Sequence, residues 1–203
     1  MRRFLNISRY PEYIRLLLWR NIVPIRMRML GVDVSSSASF FGMPIVSKAS
    51  ESQIKIGERV TLCSNSLYTA LGVNHPVVLR TLRPKSVIEI GADTGMSGTS
   101  ICAATYVSIG MRCLIGANVT ISDTDFHAIK SMNRRFNTRF EDIATKSVHI
   151  GNDVFLGAGV IVLKGVTIGD GAVVGAGSVV VKNIPSHVIA AGNPAQVLRT
   201  IHN

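Results

Sequence analysis

The stretch Ile150–Pro185 divides without remainder into six units of six: IGNDVF, LGAGVI, VLKGVT, IGDGAV, VGAGSV and VVKNIP. The first position is always aliphatic (Ile150, Leu156, Val162, Ile168, Val174, Val180), and the fifth is aliphatic or small (Val154, Val160, Val166, Ala172, Ser178, Ile184). A period of six fits neither the 3.6 of a helix nor the alternation of a hairpin sheet. It predicts a parallel β-helix, in which each unit supplies one short strand and one corner, and stacked turns bury a continuous core. Glycine recurs at the second position because a tight corner leaves no room for a side chain. Those glycines build the solenoid and carry no chemistry.

The same register is visible upstream at Ile56-Gly57, Ile90-Gly91, Ile109-Gly110, Ile115-Gly116 and Ile121-Ser122. It lapses twice, over about 67–86 and about 127–147, and long loops inside a compact repeat are where function tends to sit. The second lapse opens with TISDTDFHAIK (Thr120–Lys130). An extended chain points Asp123, Asp125 and His127 to one side. Asp125 also falls on the fifth position of its unit, where Cys113 and Val119 stand in the two units before it, so the pattern predicts a carboxylate facing the core. Such local conflicts gather at functional sites.

With 203 residues and 47% hydrophobic content, the chain has enough apolar material for one main folding unit. Cys63, Cys102 and Cys113 are odd in number and lack metal-ligand spacing, which favours neither a disulfide framework nor a zinc site and predicts reduced thiols in the cytoplasm. The net charge of +10 points to an anionic partner. Arg2, Arg3, Arg9, Arg15, Arg20, Arg26 and Arg28 crowd the first thirty residues, where Glu12 is the single acid. No nucleic-acid-binding motif accompanies them, so no nucleic-acid partner is expected. Phe4, Leu5, Leu16, Leu17, Leu18, Trp19, Ile22, Val23 and Met27 lie between the arginines in runs too short to span a bilayer, with no small-residue cleavage site behind them. This basic amphipathic segment reads either as a helix on an anionic membrane, peripheral to its inner face, or as a cap over the open end of the solenoid.

The hexads, the loop headed by a histidine and the tail IPSHVIAAGNPAQVLR (Ile184–Arg199) together resemble the hexapeptide-repeat acyltransferases, in particular the sugar O-acetyltransferases of the galactoside and maltose type and their relatives in bacterial polysaccharide synthesis. The resemblance covers about 88–199, thins over 35–86 and is absent from the arginine-rich start. It implies an all-β, left-handed parallel β-helix, a homotrimer, and acetyl-CoA bound in a groove between neighbouring subunits. It also implies that a loop histidine, here His127, takes the proton from an acceptor hydroxyl. Lys182 and Arg199 match positions that meet the phosphates of the coenzyme, and Ala158 and Ala176 match positions where the pantetheine arm lies against backbone. Phe155 stands where the family has a tryptophan and Ala158 where it has a serine. CAATY (Cys102–Tyr106) lacks the acceptor-binding aspartate of the galactoside enzymes, which points to an acceptor other than a simple galactoside.

The chemistry sets its own requirements. An alcohol is a poor nucleophile at neutral pH, so acetyl transfer needs a base, and histidine titrates in the right range. Its second ring nitrogen needs an acceptor, for which Asp123, Asp125 and the loop carbonyls compete. Backbone N–H groups near Gly157 and Ala158 are candidates to receive a developing oxyanion. His75 in the first loop is a rival base, while His149, His187 and His202 read as solvent-facing or tail residues. The γ-class carbonic anhydrases share this solenoid but need three metal-bound histidines, and no histidine lies between His149 and His187, so no metal is expected. The reading is an N-terminal helical segment (1–34), an acyltransferase β-helix (35–199) and a short tail (200–203). Alternative functions are N-acetylation of an amino-sugar nucleotide, acetylation of an antibiotic, and a purely structural assembly module.

Overall fold

The structure is a computed structural model that describes residues 10–129 and 132–201. Arg2, Arg3, Phe4, Leu5, Arg9 and His202 therefore lie outside the described residues. From Asp33 onward the chain winds as a left-handed parallel β-helix of three-strand coils. Coil 1 comprises β1 (Asp33–Val34), β2 (Ser39–Phe41) and β3 (Ile45–Ser47), and coil 2 comprises β4 (Gln53–Ile56), β5 (Thr61–Cys63) and β6 (Val78–Thr81). Coil 3 follows as β7 (Val87–Ile90), β8 (Gly95–Ser97) and β9 (Ser100–Ala103), and coil 4 as β10 (Tyr106–Ile109), β11 (Leu114–Ile115) and β12 (Thr120–Ser122). After the long loop come coil 5, with β13 (Val148–Ile150), β14 (Phe155–Leu156) and β15 (Ile161–Val162), and coil 6, with β16 (Thr167–Ile168), β17 (Val173–Val174) and β18 (Val179–Val180). A hairpin of β19 (Val188–Gly192) and β20 (Ala195–Thr200) closes the end against β17.

The three strands of each coil belong to three separate parallel sheets, the faces of a prism. The aliphatic first position of each hexad stacks on its counterpart one coil away: Ile90 on Ile109, Ile109 on Ile150 and Ile150 on Ile168 in the first sheet. Ile121 on Val162 and Val162 on Val180 continue the pattern in the third. All seven side chains are buried, and the ladder gives the fold a core as long as the solenoid. The glycines of the corners stack too. A Cβ on Gly110 would come within 2.5 Å of the Gly151 carbonyl oxygen, and one on Gly157 within 2.5 Å of the Ala176 nitrogen, so adjacent coils meet there backbone to backbone.

Outward rows differ from face to face. On the first sheet Asp33, Lys55, Glu89, Ser108, His149 and Thr167 stand in register, and Lys55 is 2.8 Å from Glu89. The Lys55 ammonium, helped by the Tyr106 hydroxyl, holds the Glu89 carboxyl below its ordinary range. On the second sheet the later coils present Leu114, Phe155, Val173 and Ile189 instead.

Helix α1 (Tyr10–Met29) lies against β1 and β2 and buries Val23 and Met27 in the core cluster. It ends in a Schellman motif: Gly31 adopts φ +72, its N–H donates to the Arg28 carbonyl, and the Val32 N–H reaches the Met27 carbonyl. No helix among the described residues is long and apolar enough to cross a membrane.

The first irregular segment is shorter than the hexad count suggested. Val77 and Leu79 are buried and Val78–Thr81 pairs with β3 and β9, so the first excursion occupies only 65–76. Pro76 and the outward Arg80 disguise a regular strand.

Candidate functional site

The long loop leaves the solenoid after Ser122 and returns at Val148, and its stem is closed by backbone pairs. Thr124 and Thr145 form an antiparallel bridge, the Asp125 N–H donates to the Ala144 carbonyl at 3.1 Å, and the Lys146 N–H donates to the Asp123 carbonyl at 2.9 Å. The loop body folds back toward coil 2, where the Arg83 guanidinium sits 5.0 Å from the Phe140 ring centre and donates to the carbonyls of Phe140 and Ile143.

Asp123 is 0% exposed, and its carboxylate accepts four hydrogen bonds, from the N–H groups of Ala104, Thr105 and Tyr106 and from the Thr105 hydroxyl, at 2.6–2.8 Å. Three consecutive backbone donors converge on one anion, a nest that fixes the corner between coils 3 and 4. This corrects the expectation that Asp123 competes to orient His127: its oxygens are fully engaged by the wall. It also corrects the hexad count, because the acid inside the wall is Asp123 and not Asp125.

Asp125 sits half-buried at the root of the loop. Its Oδ1 lies 2.6 Å from Lys164 Nζ, while Oδ2 is buried and has no hydrogen-bond partner among the described residues. A buried acceptor left open is costly enough to call for a donor. The chain then makes a three-residue turn: Phe126 takes φ +61, and the His127 N–H donates to the Asp125 carbonyl at 2.7 Å. A positive φ at a bulky residue stores strain, as functional turns often do. The turn leaves the His127 side chain exposed.

The positions matched to the coenzyme lie elsewhere on the prism. Phe155 projects from the second sheet between Leu114 and Val173, 44% exposed. Gly157 and Ala158 form the corner between the second and third sheets, and Ala176 lies on the coil above. Gly159 and Gly177 flank this line, and a Cβ added to either would meet nothing within 4 Å. The corner is thus a smooth strip of small residues. The Gly157 N–H donates to the Val174 carbonyl at 2.8 Å, so that group belongs to the wall and is not free for an oxyanion. Arg199 is exposed on β20 opposite Ile189. Lys182 is exposed just beyond β18, at the far edge of the third sheet. Within one chain the width of that sheet, roughly 10–15 Å at 3.3 Å per residue, separates His127 and Lys182 from the small-residue strip.

His75 Nδ1 lies 2.7 Å from the Pro76 carbonyl, His149 bonds to Ser108 at 3.1 Å on the polar face, and His187 turns a corner with φ +54. Burial pushes the Cys102 and Cys113 thiols up, which makes both poor nucleophiles. Two residues escaped the sequence reading. Lys164 holds Asp125, and Arg83 holds the loop body. The first had a signal: Lys164 and Lys182 stand 18 residues apart, at the same place on successive coils, in the hexads whose second-position glycine is replaced.

Comparison with known proteins agrees with this architecture. Residues 147–182 match the bacterial transferase hexapeptide family (six repeats), and residues 106–122 match the hexapeptide repeat of succinyl-transferase. A galactoside O-acetyltransferase of Lactococcus lactis is 43% identical over 49% of this chain and 45% of its own length, and one of Escherichia coli is 43% identical over 48% and 45%. The match thus spans less than half the length of either relative. A solved galactoside acetyltransferase in complex with coenzyme A superposes with a TM-score of 0.54 at 25% identity, over 98% of this chain and 86% of that one. The matched segments are coils 4 to 6 of the prism itself, and there the chain is similar to hexapeptide-repeat transferases.

Proposed function

We propose that the protein is an acetyl-CoA-dependent O-acetyltransferase acting on a sugar or saccharide hydroxyl, in the cytoplasmic synthesis of a bacterial envelope, capsule or exopolysaccharide glycan. His127 is the general base and Asp125 its positioning partner. The observation that carries this reading is the open, buried Oδ2 of Asp125 two residues from an exposed histidine. Lys164 fixes the carboxylate through Oδ1, which leaves Oδ2 to receive the second ring N–H of His127. The other ring nitrogen takes the acceptor hydroxyl proton as the oxygen attacks the thioester carbonyl. The carbon–sulfur bond breaks, and the proton passes from the imidazolium to the departing thiolate.

The strip at Ala158 and Ala176, flanked by open glycines, fits a slender pantetheine arm, with Arg199 and Lys182 for the phosphates. Phe155 packs against the arm at the reacting end. The width of the third sheet between this strip and His127 supports a site completed by a neighbouring copy, and the apolar row Leu114, Phe155, Val173 and Ile189 supports a homotrimer whose copies cover such a face. The galactoside O-acetyltransferase relatives support a saccharide acceptor. Residues 35–199 are then the catalytic unit, with 1–34 attached to its end.

Charge-assisted contacts to phosphate contribute about 1.5–3 kcal/mol each. Lys182→Ala and Arg199→Ala should therefore each raise KM for acetyl-CoA about tenfold or more, with kcat and acceptor KM little changed. Unchanged KM in both variants would remove these residues from the coenzyme site.

A further inference from the structure

Helix α1 was open to two readings, cap or docking segment, and its two faces separate them. Val23 and Met27 are 0% and 1% exposed, and Pro24 between them is buried, so one face seals the first coil. On the opposite side Leu18, Ile22, Ile25 and Met29 are 48%, 49%, 57% and 82% exposed. Their spacing of four, three and four residues places them within an arc of about 60°, a stripe roughly 17 Å long, at 100° and 1.5 Å per residue. The buried face holds the helix in place, which fixes the direction of the stripe away from the prism. Arg26 and Arg28, both exposed, lie on either side of it, and Arg28 is steadied by the Val34 carbonyl at 3.2 Å. Between Leu17 and Leu30 there is no acidic residue.

An apolar stripe bordered by guanidinium groups has a definite complement. The aliphatic side chains need a medium without polar groups, and the arginines need anions at the level where that medium meets water. We infer that the outward face of α1 docks on an anionic lipid surface, with Leu18, Ile22, Ile25 and Met29 entering the acyl boundary and Arg26 and Arg28 at the phosphate level. A second copy of the chain is a poorer complement. Two such faces bring arginines together in a chain that already carries +10, and a stripe of four side chains is far smaller than the roughly 800 Å² per partner of a standard protein interface. The inference is independent of the acetyl-transfer reading, and either can fail alone.

Sedimentation of the full chain with vesicles tests it, comparing phosphatidylcholine alone with phosphatidylcholine containing about a third phosphatidylglycerol, at about 50 mM and 500 mM salt. The intact protein should pellet with the anionic vesicles at low salt and largely stay in solution with neutral vesicles or at high salt. The double variant Ile22→Asp/Ile25→Asp should partition at least about tenfold more weakly while keeping its thermal melting point, since both positions are exposed. Arg26→Glu, which leaves the stripe intact, should weaken anionic binding by a smaller factor and provides the same reading if the double variant misfolds. Intact protein remaining in the supernatant with anionic vesicles at low salt would overturn the inference. So would either variant pelleting like the parent, or a change of oligomeric state in the double variant by light scattering, which would make the stripe a contact between copies.

Discussion

Asp123 and Asp125 are two residues apart, yet they belong to different regions governed by different physics. Asp123 belongs to the wall: fully buried, it is saturated by four donors from the corner it closes. Asp125 belongs to the loop: it is held by one lysine, and one of its oxygens has no partner among the described residues. The wall spends its polar groups on structure, so nothing is left for a ligand. The loop leaves an acceptor, a strained turn and an exposed histidine in one place. A saturated group is evidence for stability and an open one for chemistry, and the contrast predicts that variants on the two sides will separate rate from stability.

The largest effect is expected at the loop. His127→Ala should lower kcat by about 10² to 10⁴, the usual worth of a general base, while acetyl-CoA still binds and the melting temperature is nearly unchanged. Turnover near the parent rate on the true acceptor would erase the distinction and shift attention to His75.

Next in size is the wall. Asp123→Asn keeps the shape but turns an amide NH₂ toward donors, leaving at least one buried donor unsatisfied. About 3 kcal/mol or more of unfolding free energy should be lost, with kcat per folded molecule retained. Denaturant unfolding alongside single-turnover rates checks both halves. A variant that folds normally but is inactive would place Asp123 on the chemical side after all.

How much of this contrast was legible in the sequence follows from the range of the contacts. Residues of the wall recur every 18 positions and meet their own counterparts, so Ile150, Val162 and Ile168 announce both strand and register from local pattern alone. The loop is held by partners far away in sequence. Lys164 reaches Asp125 across 39 residues and Arg83 reaches the Phe140 carbonyl across 57, and no periodicity encodes either contact. The hexad count misplaced the buried acid for a related reason. Ser122 replaces the corner glycine and bonds to the Thr124 carbonyl, so the chain leaves the coil before its fifth position is reached. The α1 segment was half legible: its arginines and leucines suggested an interfacial helix, but which apolar residues face the prism depends on where the helix docks.

A smaller effect should sharpen the contrast within the loop. Asp125→Asn retains a carbonyl oxygen but loses the charge that steadies a developing imidazolium, so kcat should fall about tenfold, roughly 1.4 kcal/mol of activation free energy. The pair with Lys164 is partly exposed, at 21% and 30% of the side chains, so stability should drop by less than about 1 kcal/mol. Lys164→Met should reproduce part of the loss in kcat, because a carboxylate without its anchor no longer holds one orientation. If Asp125→Asn instead costs stability like Asp123→Asn and leaves kcat alone, both acids belong to the wall.

The smallest effect lies on the outside of the wall, where charge is spent on neither core nor catalysis. Along one corner Arg59 grips Asp93 through two bonds of 2.6 and 2.7 Å, and Arg112 grips Asp153 through two of 2.7 Å. The guanidinium hydrogen bonds hold both carboxyls below their ordinary range. A carboxyl whose folded pKa lies below its unfolded value of about 3.9 adds stability that is fully present above that value and is lost as pH falls through the folded one. The melting temperature should therefore be flat with respect to these pairs above about pH 5 and decline below about pH 4. Asp153→Asn should flatten part of that acid limb and leave the neutral plateau almost unmoved, because exposed pairs are screened and individually weak. High salt should flatten it in the same way. An acid limb unchanged in Asp153→Asn would mean that the corner ladder is solvated decoration and adds nothing to the stability of the wall.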